Sequence, residues 1–230
     1  MKEGSETHIL SLGGSLLFQG QELDTTFINS FVACIKAEVA RGMRFIIVVG
    51  GGYPSRMYQR ALTELGAKDS EDLDWIGIYS CRLNAQLLRL LLKECAHPEL
   101  IREPGQVAGI TAPVAFAGGI KPGASSDYVA VTLARAAQAK IVVNITNTSH
   151  VFDKDPAKNP DARAFETLTW DQYRTLIPAT WTPGLHSPFD PGAAALAEES
   201  GIEVYVVGKE AENIQRLLAG EEHVGTRIHA

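Results

Sequence analysis

Ile46-Ile47-Val48-Val49-Gly50-Gly51-Gly52-Tyr53-Pro54-Ser55-Arg56 is an apolar, β-branched run that breaks into three glycines and then reaches an arginine. Such a run suits a strand covered on both faces. Three consecutive glycines remove every Cβ at its end, so a ligand can approach the backbone and several N–H groups can point at it. Arg56 offers a planar fork for phosphate oxygens. Its plain alternative is a solvated arginine at a helix start.

The same grammar recurs outward from this stretch. His8–Leu12 reads as a first strand ending in Gly13-Gly14-Ser15, and Val114–Ala117 reads as another closed by Gly118-Gly119. Between them, Thr26–Arg41 carries Phe27, Phe31, Val32, Ile35 and Val39 at helical spacing, and helices are predicted from Pro54 to Leu65 and from Asp72 to Cys95. Leu87, Leu88, Leu90, Leu91 and Leu92 are expected to form the apolar face of the last. A short strand is also expected at Leu100–Arg102. Beyond come a helix at Ser126–Ala139, a buried-type strand at Ile141–Ile145 and a turn-rich hairpin or loop at His150–Pro160. A helix at Asp190–Ser200, a strand at Glu203–Val207, a helix at Ala211–Ala219 and a strand at Thr226–Ile228 follow. Repeated β–α alternation predicts an α/β fold, a three-layer α/β/α sandwich with a mostly parallel central sheet.

Ligands of such folds bind beyond the carboxyl ends of the strands. Three glycine turns at strand ends converging on one edge favour a site for extended phosphate. Neither a G-x-x-x-x-G-K-[ST] loop nor a G-x-G-x-x-G turn is present.

At 230 residues, with no internal repeat and no linker, the chain reads as a single domain over 1–230. The net charge of −6 argues against a nucleic-acid or membrane-surface binder. Cys34, Cys81 and Cys95 lack metal-ligand spacing, and buried thiols of a reducing compartment are expected. With neither a membrane span nor a signal-peptide core in the sequence, a cytoplasmic protein is expected. The six histidines show no ligand spacing; His150 and His186 read as surface or capping residues, and Trp75, Trp170 and Trp181 as packing residues or interface anchors.

Taken in order, these segments resemble the amino acid kinase family, and within it the UMP kinases of the archaeal type. The resemblance is carried by Gly13-Gly14-Ser15, by Gly50-Gly51-Gly52 with Arg56, and by Asp74-Trp75-Ile76-Gly77 with Arg82, Asn84 and Ala85. It continues through Gly118–Asp127, Ile145-Thr146-Asn147 with Val151-Phe152, Asp155-Pro156-Ala157-Lys158, and the closing Gly225-Thr226-x-Ile. It implies an ATP-dependent kinase making UDP from UMP, with Mg²⁺ as charge carrier, in a homohexamer of dimers packed along their long helices.

By that resemblance the N-terminal part binds the acceptor and the part from about residue 140 binds ATP. Gly13, Gly14, Ser15 and Gly52 would offer N–H donors to the ATP phosphates, and Thr146, Asn147, Phe152 and Asp155 would frame the adenosine. Gly51, Asp74, Lys121, Pro122, Gly123, Ala124, Ser125 and Ser126 would hold UMP. Arg56 would sit between the two phosphates, Asp127 would orient the phosphate-binding groups, and Lys158 would act as the transfer lysine. Each has a plainer role to set beside this one: helix caps for Asp74, Ser125 and Ser126, core packing for Phe152, and a solvated surface position for Lys158.

Three departures stand against the resemblance. Ser11 occupies the position where most bacterial members carry a lysine. Asn147-Thr148-Ser149-His150-Val151 replaces an Asn-Val-Asp-Gly-Val turn, and Lys121 with Ser125-Ser126 replaces a polar uncharged residue or histidine and two threonines. Lys121 is expected to compensate in part for the missing lysine. Two alternatives follow: a kinase of the same fold for another acceptor such as isopentenyl phosphate, and a binding or storage protein that holds nucleotide without transferring phosphate. The first is weakened by Tyr53, which stands where such kinases carry a histidine.

Overall fold

The computed structural model describes residues 7–178 and 187–230; Trp181 and His186 lie outside the described residues. Strand β1 (Thr7–Leu12) leads through a 3₁₀ turn to a small hairpin, β2 (Phe18–Gln19) with β3 (Glu22–Leu23). Helix α1 (Thr25–Ala40), strand β4 (Arg44–Val49), and helices α2 (Gly52–Glu64) and α3 (Ser70–Leu91) follow, then β5 (Val114–Ala117), α4 (Ser126–Ala136) and β6 (Ile141–Ile145). A second hairpin pairs β7 (Val151–Phe152) with β8 (Ala164–Phe165), ahead of β9 (Thr167–Thr169) and α5 (Trp170–Leu176). Helix α6 (Pro191–Glu199), β10 (Glu203–Val207), α7 (Ala211–Leu218) and β11 (Thr226–His229) complete the described chain.

Seven strands form one sheet in the order β5-β4-β1-β6-β10-β11-β9. Every neighbouring pair is parallel except β10 with β11. The chain runs outward from β1 through β4 to β5, then crosses back to place β6 on the other side of β1. That reversal opens a crevice at the carboxyl end of β1, where open α/β sheets take their ligands.

Alternate residues of the central strands feed two cores. Ile9, Ile46 and Val48 face a layer containing residues of α4, α5 and α6, whereas Leu10, Leu12, Ile47 and Val49 face one containing residues of α1, α3 and α7. Both faces are covered, which is why the strands read as continuous apolar runs. Each of these side chains stabilises the fold by about 2 kcal/mol relative to exposure.

The predicted elements are present with ends shifted by a few residues, while Leu100–Arg102 reduces to a single bridge between Ile101 and Ala117. The leucine cluster divides: Leu88 and Leu92 are buried, but Leu90 and Leu91 face outward, because α3 is covered on one side only. Helix α2 buries no residue and lies on the rim against α3. Several short elements escape sequence reading, β2, β3, β8, β9 and α5 among them. The last carries a signal that was available, a capping box of Thr169 with Gln172.

Candidate active site

The glycine turns meet at the predicted edge, and their first role there is packing. A Cβ on Gly14 would lie 2.2 Å from the Gly50 carbonyl oxygen, and one on Gly52, whose φ is +62°, would lie 2.3 Å from the Gly14 oxygen. The turns after β1 and β4 therefore lie backbone on backbone. Asn84, buried on α3, donates to the carbonyls of Gly50 and Gly51 at 2.9 and 3.0 Å, holding the second turn from beneath. Gly118 and Gly119 do the same for α3 itself, since a Cβ on either would meet Arg82 or Ile78 at 2.7 Å.

Next to this junction is a cavity of about 330 Å³. Of the residues expected to bind ligand, Gly14, Ser15, Gly51, Gly52, Arg56, Asp74, Lys121, Ala124, Ser125 and Ser126 line it. Arg56 and Lys121 are exposed and form no ion pair among the described residues, so two cations are available to a phosphorylated ligand. Composition offered no clue to Gln59 and Cys81, which also line it. The Cys81 thiol is pushed up to about 11 by burial and is therefore a poor nucleophile.

The loop between β5 and α4 is held open by its neighbours. Asp74 accepts from the Gly123 N–H at 2.7 Å, and the Arg82 guanidinium donates to the Gly119 carbonyl at 3.1 Å. Ser125 caps α4 by accepting from the Tyr128 N–H at 3.1 Å, so the capping role proposed for it is real. Asp69, and not Asp74, caps α3. Pro122 and Gly123 belong to this loop without being among the residues that line the cavity.

Asp127 points inward beneath the loop. Its Oδ1 accepts from the Ser11 hydroxyl at 2.8 Å and its Oδ2 from the Asp190 N–H at 3.2 Å. Removal from water pushes its carboxyl up to about 6, against the pull of those two donors and with a further push from the charge of Asp190. Burial likewise raises the Asp190 carboxyl, which caps α6 through the Ala193 N–H at 2.7 Å. Tyr173 closes the cluster: its hydroxyl donates to the Phe189 carbonyl and accepts from the Phe189 N–H, at 2.6 and 2.8 Å. Asp190 was read from the sequence only as the start of a helix, and no local pattern marks it as part of a site.

The expected ATP-side residues gather less tightly. Gly13 donates to the Ile145 carbonyl at 3.0 Å, and the Asn147 amide donates to the Ser15 hydroxyl at 3.0 Å, joining the first glycine turn to the end of β6. The Thr146 hydroxyl accepts from the Thr148 N–H at 3.1 Å and so orders the turn that lacks the family's aspartate and glycine. His150 is half-buried, and its ring meets Phe152 edge-on at 6.1 Å. Phe152 is itself half-buried on the β7–β8 hairpin. Lys158 is not among the residues that line the cavity. It pairs with Asp155 at 3.4 Å on the surface, and Asp155 also accepts from the Ala157 N–H at 3.0 Å.

Among the described residues no three His, Cys, Asp or Glu side chains converge to hold a metal, and no helix is long and apolar enough to cross a membrane.

The model of the amino acid kinase family matches residues 6–103 and 99–208. The chain is similar to the uridylate kinase of Hyperthermus butylicus, 37% identical over 79% of this chain and 81% of that one. It is 33% identical to the uridylate kinase of Thermoplasma volcanium over 97% of this chain and 98% of the relative. The crystal structure of uridylate kinase from Archaeoglobus fulgidus superposes with a TM-score of 0.82 at 32% identity, covering 97% of this chain and 99% of that one. With the family model spanning most of its length and the glycine turns assembled as that fold requires, this chain belongs to the amino acid kinase family.

Proposed function

We propose that this protein transfers the γ-phosphoryl group of ATP to UMP, giving UDP and ADP. The observation that carries this reading is the glycine-lined cavity at the crevice of the sheet, bearing Arg56 and Lys121 with no ion pair among the described residues. Relatives named uridylate kinases, similar over nearly the whole chain, support UMP as the acceptor. In this reading, residues 1–230 act as one domain whose earlier part holds the acceptor and whose part beyond about 140 holds the donor.

Phosphoryl transfer is mainly a matter of positioning and charge neutralisation. Arg56 bridges the two phosphates with its planar fork, and Lys121 neutralises the acceptor phosphate. Gly51, Gly52 and the loop from Lys121 to Ser126 shape the acceptor pocket, with Asp74 free to exchange its bond to Gly123 for a ribose hydroxyl. Gly13, Gly14, Ser15, Thr146, Asn147 and Phe152 hold the donor. Asp155 frames the adenosine with them, and its partner Lys158 serves as the transfer lysine for the γ-phosphoryl. Mg²⁺ would be held by the nucleotide phosphates and water, not by a cage of side chains, and would supply charge neutralisation there. The exposed stripe Trp75, Tyr79, Leu83 and Leu90 on α3 supports a dimer along the long helices, within a hexamer.

An ADP-release assay with ATP and Mg²⁺ against UMP, CMP, dUMP and isopentenyl phosphate tests the reading. Turnover restricted to UMP is expected. Turnover with isopentenyl phosphate alone would replace UMP as the acceptor. The Lys158–Asp155 pair outside the cavity favours a second reading, a nucleotide-binding protein without transfer. Tight ATP and UMP binding with no turnover on any acceptor would establish it.

A further inference from the structure

We propose that Gln59 determines the sugar of the acceptor: its amide oxygen and the Asp74 carboxylate between them take the two vicinal hydroxyls of a ribose, so that the site selects ribonucleotides over deoxyribonucleotides. This rests on the reading of UMP as the acceptor and deepens it, since Gln59 belongs to none of the motifs that carry the family resemblance. Gln59 and Asp74 both line the cavity, one from α2 and the other from α3. The Gln59 Nε2 donates to the Leu73 carbonyl at 2.9 Å. That bond fixes which way the amide points and turns Oε1 away from Leu73. Oε1 accepts no hydrogen bond among the described residues. Asp74 uses Oδ2 for the Gly123 N–H at 2.7 Å, and its Oδ1 likewise has no hydrogen bond among the described residues.

The chain makes room for this amide. Gly77 follows Asp74 by three residues inside α3, where a glycine costs about 1 kcal/mol relative to alanine. A Cβ there would lie 3.0 Å from Gln59 Nε2 and 3.2 Å from Ser55 Oγ. Ser55 and Gln59 are four residues apart on α2 and therefore share the face that meets Gly77. The missing side chain seats both polar groups against α3 at the cavity, which Ser55 and Gly77 also line.

The atom types decide what binds here. Two acceptors, one of them a carboxylate, call for donors. A phosphate presents acceptors, and it belongs with Arg56 and Lys121. The edge of uracil flanks its one N–H with two carbonyls, which a carboxylate repels. A vicinal diol supplies two O–H donors. Arg56 precedes Gln59 by about 4.5 Å along the helix axis. Helix α2 thus presents a phosphate fork and then a sugar acceptor, in the order in which a nucleoside 5′-monophosphate carries the two groups.

Calorimetry of the full chain with UMP, 2′-deoxy-UMP and 3′-deoxy-UMP tests this without any turnover. The wild type should bind UMP about tenfold more tightly than either deoxy form, the value of one hydrogen bond. Gln59→Met keeps the reach of the side chain and removes its oxygen. It should bind UMP about tenfold more weakly, bind one of the deoxy nucleotides as the wild type does, and keep the wild-type melting curve, because α2 buries no residue. A general distortion of the pocket would instead weaken all three alike. Equal wild-type affinity for the three nucleotides, an equal loss on all three in Gln59→Met, or no loss for UMP overturns the assignment to Gln59 while leaving UMP as the acceptor. A wild type that binds none of the three overturns the acceptor reading and this inference with it. The expected pattern in a protein without turnover keeps Gln59 as the sugar determinant and removes only the transfer.

Discussion

Gly14 and Gly50 face each other so closely that a Cβ on Gly14 would lie 2.2 Å from the Gly50 carbonyl oxygen, and one on Gly50 would lie 2.7 Å from the Gly14 nitrogen. Neither neighbour can yield, since both are backbone at the ends of central strands. Gly14→Ala should therefore destabilise the protein by about 3 kcal/mol or more, the upper range of overpacking. Gly20→Ala is the control: its φ of +64° carries a conformational cost of about 1 kcal/mol, but nothing lies within 4 Å. Urea denaturation of the two variants measures the difference. Equal losses would mean that the turns can separate.

Arg56 lines the cavity and pairs with nothing among the described residues. Arg56→Ala should lower kcat by about 10² or more, the scale of losing a charged donor to the transferring group, and leave the melting temperature unchanged. Arg56→Lys should recover little, because a point charge cannot reproduce the bidentate fork. Steady-state kinetics against ATP and UMP, read beside a thermal melt, separate the two effects.

Lys121 stands exposed on the same cavity. Lys121→Ala should raise the KM for UMP about tenfold, the value of one charge-assisted contact, with a smaller effect on ATP. An unchanged KM and kcat would remove Lys121 from the site and end the idea that it compensates for the absent lysine at position 11.

Stability and activity should respond to acid with opposite signs around Asp127. Its carboxyl titrates at about 6 in the folded chain against an ordinary value of 3.8. The folded state holds that proton more tightly, so the contribution to stability is fully present below pH 3.8 and is lost as pH rises through about 6. The amount is on the order of 2 kcal/mol, allowing for partial screening. Asp127→Asn should abolish this dependence in urea titrations repeated from acid to neutral pH. Wild-type kcat should instead fall as pH drops below about 6, where the carboxylate that orders the loop becomes neutral.

Tyr79 and Leu83 are 61% and 66% exposed, one turn apart on α3. Tyr79→Glu combined with Leu83→Glu should convert an oligomer to a smaller species in light scattering, because a buried, unpaired carboxylate is costly in an apolar interface. A wild-type chain already monomeric at high concentration would remove α3 as an interface.

Much of this architecture was legible because it rests on local rules. β-branched runs ended by glycine mark buried parallel strands, and helical spacing marks α1, α4 and α7. Most of the predicted residues of the cavity came together because their turns follow parallel strands of one sheet, with Arg56 and Asp74 added from α2 and α3. Two-residue strands and the single bridge at Ile101 have no period long enough to read. The outward-facing Leu90 and Leu91 resemble core leucines in every local respect.

The sequence by itself determined the α/β class, the two-sided burial of the central strands and the glycine-bearing edge, since periodicity and the lack of a Cβ act over a few residues at a time. The tertiary structure alone decided that those glycines serve first to let backbones touch, that Lys158 rests against Asp155 away from the cavity, and that Asp190 lies beside Asp127. The last two aspartates are 63 residues apart, and no local preference encodes a meeting at that separation. It arises only when α4 and α6 pack on the same face of the sheet and bring their N-terminal ends together.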